Sequence, residues 1–176
     1  MDTPMSDLHF EVMSFGFKIR DLFLPRRNVL NEIGIKPGFH ILDYGCGSGS
    51  YSIPVADMVG NLGKVYALDI HPLAIRRVRD IASKRRLTNI ETICSVCATG
   101  LPNDSVDVAL LYDTFNCLSE PDEVLKELHR VLKPNGILSF SDHHLKKEEI
   151  VPKVTNSSLF QVMKKGKRTY SFSKGQ

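Results

Sequence analysis

From residue 25 onward the apolar positions alternate between two periods. Pro25 opens a helical run over 25–33, with Val29, Leu30 and Ile33 on one face, and Gly34 is placed to cap it. A strand over 39–44 follows, then a helix over 50–59 and a strand over 64–69 (KVYALD). Pro72 starts a helix over 72–86, on which Leu73, Ile75, Val78, Ile81 and Ala82 broadly keep helical spacing. Two strands, 90–95 (IETICS) and 106–112 (VDVALLY), come next. A helix over 121–132 carries the stripe Val124, Leu125, Leu128, Val131 and Leu132. KPNG turns that helix into a strand over 136–141, and a helical stretch near 146–156 precedes a β-hairpin about the tight turn Lys165-Gly166.

Helix and strand in alternation predict a doubly wound α/β domain around a mostly parallel sheet, closed by an antiparallel strand. Residues 1–24 stand apart. They hold Phe10, Phe15, Phe17 and Phe23 without a firm period and read as a packed segment or lid over a domain running from 25 to 176.

Between the first strand and its helix lies HILDYGCGSGSYSIPVA, residues 40–56. A strand that runs into glycines and then a helix sets backbone N–H groups at the carboxyl edge of the sheet, where open α/β sheets bind ligands. Asp69 closes the next strand and can accept hydrogen bonds from both hydroxyls of a ribose. A dinucleotide loop would read G-x-G-x-x-G, but its third glycine position is Ser50, and Asp43 would set a negative charge beside a pyrophosphate. A phosphate-free nucleoside with a cationic centre suits two acids better. S-adenosylmethionine is such a ligand.

ILDYGCGSG resembles the first motif of the class I S-adenosylmethionine-dependent methyltransferases, and VYALDI resembles their second. DVALLYD is similar to the strand that floors their active site, and LHRVLKPNGILSFSD to the segment that follows it. The resemblance spans residues 36–142, and the final hairpin fits the family's last two strands. It implies a Rossmann-like, seven-stranded sheet in the order 3-2-1-4-5-7-6 with strand 7 antiparallel. It implies that Gly45, Cys46, Gly47 and Gly49 line the cofactor, with Asp43 in the network around its amino group. Asp69 would hold the ribose and Ile70 would lie against the adenine. Cys97 and Ala98 would stand at the adenine end, Cys97 where the family usually has an acid. Asp113 would sit near the sulfonium and the acceptor. The product would be S-adenosylhomocysteine.

Composition narrows the remaining choices. The chain has 176 residues, 42% of them apolar and 24% charged, with a net charge of +3, the balance of a single soluble domain. That charge is too small to call for a nucleic-acid partner, and no apolar run approaches a membrane span of about 20 residues. The first residues, MDTPMSDLHF, lack the basic start and apolar stretch of a signal peptide, so a cytoplasmic location is expected.

Cys46, Cys94, Cys97 and Cys117 then read as reduced thiols, and no metal is expected. A sharper idea has Cys46, Cys97 and Cys117 facing one pocket to hold a soft substrate such as arsenite. Asp142-His143-His144 reads first as a solvated loop, in which His143 or His144 has the chemistry to take a proton from an acceptor. His129 is expected at the surface, and RRVRDIASKRR (76–86) reads as a solvated cationic face.

The acceptor itself is weakly written. After the floor strand the chain reads YDTFN, without the [DN]-P-P-[YF] box of amino-methylating nucleic-acid enzymes, and no cysteine follows a proline. A small-molecule acceptor is the first reading. A protein or RNA acceptor, or a binding protein without catalysis, are the alternatives, and the oligomeric state is not legible.

Overall fold

The computed structural model describes residues 26–175 together with residues 4, 6–12, 14 and 16. Seven strands form one sheet in the order β3-β2-β1-β4-β5-β7-β6. They are β1 (His40–Tyr44), β2 (Lys64–Asp69), β3 (Ile90–Cys94), β4 (Val106–Tyr112), β5 (Leu132–Ser141), β6 (Phe160–Lys165) and β7 (Tyr170–Lys174). β1 to β5 pair in parallel, while β7 runs antiparallel to both β5 and β6. This is the topology that the motifs implied. Parallel pairing sends the carboxyl ends of β1, β2, β4 and β5 to one edge, so the loops after them share a rim.

Among the described residues after 25, five helices cover the faces: α1 (Arg27–Leu30), α2 (Ser52–Val59), α3 (Pro72–Lys84), α4 (Pro121–Val131) and α5 (Lys147–Thr155). On one face α4, α5, Phe140, Phe160 and Phe172 enclose the larger core cluster. On the other, α1 and α2 pack Val29, Leu30, Val55 and Val59 against Ile41, Val108 and Leu110. The stripe on α4 is fully buried at Leu125, Leu128 and Val131, as its period requires. No helix among the described residues is long and apolar enough to cross a membrane.

The structure corrects several boundaries. The first helix is one turn, Arg27–Leu30, because turns carry the chain on to Gly34 at φ +78°. KPNG lies within β5, where the register to β4 shifts between Val106 and Val108: an irregularity absorbs the turn residues without ending the strand. The hairpin spans Gly166 to Thr169, wider than a Lys165-Gly166 turn, and the Glu32 carboxylate caps it by accepting from the Arg168 and Thr169 amides. His129 is half-buried, its ring 5.7 Å from that of Phe160. Phe15, Phe17, Phe23 and Pro25 lie outside the described residues.

Candidate functional site

The glycine loop is pinned before it meets any ligand. The Gly45 and Cys46 amides both donate to the Leu68 carbonyl, at 2.8 and 2.9 Å, tying the end of β1 to β2. Gly45 stands at φ +79°, and a Cβ there would collide with Thr114 in the loop after β4. The loops after β1 and β4 are therefore in contact, which only a residue without a side chain permits. Gly47, at φ +52°, differs: no atom lies within 4 Å of where its Cβ would be, so its face is open.

Asp69 receives two backbone amides, Gly47 on Oδ2 and His71 on Oδ1, each at 2.8 Å. Each oxygen keeps a further lone pair, enough for two ribose hydroxyls. Burial raises the pKa of this carboxyl, and the two amides work against that rise. Asp43 is 2% exposed and accepts the Ser52 hydroxyl at 2.5 Å. Burial drives its pKa to about 6, opposed by the Ser52 hydroxyl and reinforced by the charge on Asp69. Two neighbouring acids beside an open cradle lack positive charge. A ligand carrying ammonium and sulfonium groups supplies it, and a pyrophosphate would add to the repulsion.

The loop after β3 is held by residues that the sequence did not single out. Tyr44 donates its hydroxyl to the Val96 carbonyl at 2.8 Å. The amide and hydroxyl of Thr99 both donate to Glu127 on α4, at 2.8 and 2.6 Å. Arg130, hydrogen-bonded to the same carboxylate, together with Thr99 holds the Glu127 pKa down at about 2. This clamp fixes the loop that carries half-buried Cys97 and exposed Ala98. Cys94 directs its thiol to the Ile70 carbonyl at 3.7 Å. Cys46 is buried and Cys117 exposed, and among the described residues the cysteines form no metal-ligand set.

At the ends of β4 and β5 the two predicted catalytic residues do come together. Asp113 Oδ1 lies 2.8 Å from His143 Nδ1 and also accepts the His143 amide at 3.2 Å. An ionised Asp113 fixes the proton on Nδ1 and leaves Nε2 as the free base. Asp142 corrects the picture of a merely solvated loop. It is 4% exposed and accepts the Asn116 and His144 amides, bracing the turns after β4 and β5 against each other. Donor atoms of Asp113, Asp142 and His143 lie within 4.8 Å of one another, close enough to meet one cation.

The helical residues 7–12 reach the same rim. Phe10 is buried, its ring 4.5 Å from that of His71, which caps α3 by accepting from the Leu73 amide. Glu11 accepts Arg77 with both oxygens, at 2.8 and 2.7 Å. Residues 7–12 thus dock two residues beyond Asp69.

Residues 35–175 match the model of a methyltransferase domain family. The chain belongs to the class I S-adenosylmethionine-dependent methyltransferases. A solved methyltransferase of this type from Aquifex aeolicus superposes with a TM-score of 0.75 at 30% identity, over 89% of this chain and 96% of that one. A ubiquinone/menaquinone biosynthesis C-methyltransferase, UbiE, from Hydrogenovibrio crunogenus is 29% identical over 90% of this chain. A demethylmenaquinone methyltransferase from Geobacillus stearothermophilus is 31% identical over 73% of it. The chain spans 62% and 56% of the length of those two relatives. For a methyltransferase of this family, the open face at Gly47 and the acids Asp43 and Asp69 fit S-adenosylmethionine, the family's methyl donor.

Proposed function

We propose that this methyltransferase acts on a small molecule, and that His143, oriented by Asp113, removes a proton from that acceptor. The observation that carries the reading is the 2.8 Å contact between His143 and Asp113, at a rim joined to the glycine loop through Thr114 and Gly45. The names of the Hydrogenovibrio and Geobacillus relatives favour an aromatic ring of the quinol type. Ionising a ring hydroxyl makes the neighbouring ring carbon nucleophilic, and after the methyl group is transferred the hydrogen on that carbon returns to the ring oxygen, so the one proton released is the one the base took.

S-adenosylmethionine supplies a methyl group on a cationic sulfur, open to in-line displacement. Asp69 would hold the ribose, and Asp43 would offer its charge to the amino end of the methionine. Gly47 would give the ligand a bare main-chain surface, with Gly45, Cys46 and Gly49 beside it, Ile70 would lie along the adenine, and the Tyr44 and Glu127 clamps would hold Cys97 and Ala98 at that end. His143 Nε2 takes the acceptor's proton and passes it to water, to which its side chain, 59% exposed, is open. Residues 7–12 would cover this rim, a reading supported by Phe10 on His71. The cationic run on α3 lends little to an RNA acceptor, since Arg77, Arg79 and Arg85 bond to Glu11, Thr92 and Asp57 within the chain.

The test is a labelled methyl-transfer assay with a demethylated quinol, run beside cell extract separated by size. Transfer to the quinol or the small-molecule fraction, lost in His143→Ala, supports the reading. Label entering only protein or RNA would replace it.

A further inference from the structure

Residues 143–168 carry seven lysines and arginines against two acids, an excess of five in a chain whose net charge is +3. The fold gathers most of that charge at one corner of the sheet. Tyr170 of β7 pairs with Lys165 of β6 and with Phe140 of β5, so the hairpin after Lys165 stands beside the carboxyl end of β5. The Tyr170 hydroxyl donates to the Lys147 carbonyl, which joins the hairpin to the start of α5. Lys146, Lys147, Lys164, Lys165, Lys167 and Arg168 are all exposed at this corner.

Other cations are neutralised within the chain: Lys64 meets Glu91, Arg77 meets Glu11, Lys133 meets Asp107 and Lys174 meets Asp104. Among the described residues, the side chains of the six corner cations meet no carboxylate. Glu32 and Glu149, which lie beside them, direct their oxygens to the backbone amides of Arg168, Thr169 and Lys146. Cations gathered without partners make a positive field that an anionic surface complements.

β6 adds an apolar signal. Val162 and Met163, directly before Lys164 and Lys165, are 45% and 57% exposed. An apolar edge strand invites pairing with another chain, but the register shift between Val162 and Lys164 and the lysines after it oppose that. Single-stranded RNA would stack its bases on exposed aromatic rings, and here Phe160 is buried and Tyr170 half-buried.

We infer that this corner docks on an anionic lipid surface, with its cations at the headgroups and Val162 and Met163 against the apolar layer. Either signal alone binds weakly, and the two together hold a peripheral protein. Because the hairpin stands at the carboxyl end of β5, docking brings the rim that carries His143 to the bilayer. The inference goes beyond the proposed acceptor and does not rest on it.

The test is co-sedimentation of the full chain with phosphatidylcholine vesicles, with and without phosphatidylserine. The chain should sediment with the anionic vesicles, less so as salt is raised, and not with phosphatidylcholine alone. Each cation should contribute about fivefold, so Lys164→Ala, Lys165→Ala and Lys167→Ala together should weaken binding about 100-fold. Met163→Ser should weaken it about tenfold and leave its salt dependence unchanged. These side chains are exposed, so thermal midpoints should match the parent's. Arg76→Ala, Lys84→Ala and Arg86→Ala together remove the same charge from exposed positions on and just after α3 and should leave binding unchanged. No sedimentation with anionic vesicles would overturn the assignment. So would an equal loss from the α3 variant, which would leave only overall charge, or binding to single-stranded RNA in place of vesicles.

Discussion

Gly47 donates its amide hydrogen to Asp69 at 2.8 Å, so the tip of the glycine loop and the acid that closes β2 are one hydrogen-bonded unit. The carboxylate proposed to hold the ribose also sets the shape of the glycine loop. Asp69→Ala should therefore lose more than ribose contacts, because the Gly47 and His71 amides lose their acceptor too. Loss of S-adenosylhomocysteine affinity should reach about 100-fold, from roughly 3 kcal/mol of removed hydrogen bonds. Asp69→Asn, which keeps one acceptor oxygen, should lose about tenfold less. Calorimetry on the two variants checks the order.

The glycines of the loop should separate by mutation. Gly45→Ala drives a Cβ into Thr114 and should lower the thermal midpoint or prevent folding. Gly47→Ala meets no atom, and its φ of +52° costs only about 1–2 kcal/mol. Its methyl group would nevertheless occupy the surface proposed for the ligand. The midpoint should fall by a few degrees while the thermal shift on adding S-adenosylhomocysteine disappears.

Asp43 should set opposite pH dependences for stability and for binding. Its pKa in the fold, about 6, lies above its ordinary value of 3.8, so between those values the folded chain holds a proton that the unfolded chain has released. Stability from this group therefore grows as the pH falls through 6 and is lost as it rises, by up to about 3 kcal/mol. Binding a cation runs the other way, because it needs the ionised form. S-adenosylhomocysteine, with its ammonium, should bind about tenfold more weakly for each pH unit below 6. Asp43→Asn should flatten both profiles and raise ligand-free stability at pH 8. Thermal melts and titrations from pH 5 to 8 check both signs.

Alternation of periods made the sheet readable, because each strand and helix of a parallel α/β domain must bury its own apolar face. KPNG misled for a local reason: turn residues mark a break only where the strand cannot bulge around them, and β5 does bulge. At the site, the contact of Asp69 with the glycine loop was foreshadowed because a strand that ends in an acid beside a glycine turn brings a carboxylate to backbone amides. Ser52, Thr99, Glu127 and Asp142 were not. Each acts by hydrogen-bonding a residue distant in sequence or a backbone amide, and no local spacing announces such a bond. Tyr44 read as a strand residue, and its hydroxyl matters only because Val96 lies across from it.

The pairing of His143 with Asp113 predicts a loss confined to turnover. His143→Ala should lower methyl transfer about 10²- to 10⁴-fold with S-adenosylhomocysteine affinity unchanged. Asp113→Asn should lower it less, because the base remains while its orientation is lost. Transfer should survive exhaustive chelation. If chelation stops it and a divalent ion restores it, Asp113, Asp142 and His143 are cation ligands and the base is reassigned.

Phe10 decides between lid and anchor. Its ring is 2% exposed, and burying an aromatic ring of this size is worth roughly 1.5–3 kcal/mol. The neighbouring Arg77 to Glu11 bridge is half-exposed on the Glu11 side and adds about 1 kcal/mol at most. Phe10→Ala should then release the N-terminal segment from His71 and leave the sheet intact, since neither large core cluster includes Phe10. Acceptor turnover should fall at least tenfold, because water now reaches the reacting centre, while cofactor affinity changes by less than tenfold. Deletion of residues 1–24 should show the same split more strongly. A variant that melts far below the parent would make Phe10 ordinary core. One that keeps full turnover would leave the segment no part in catalysis.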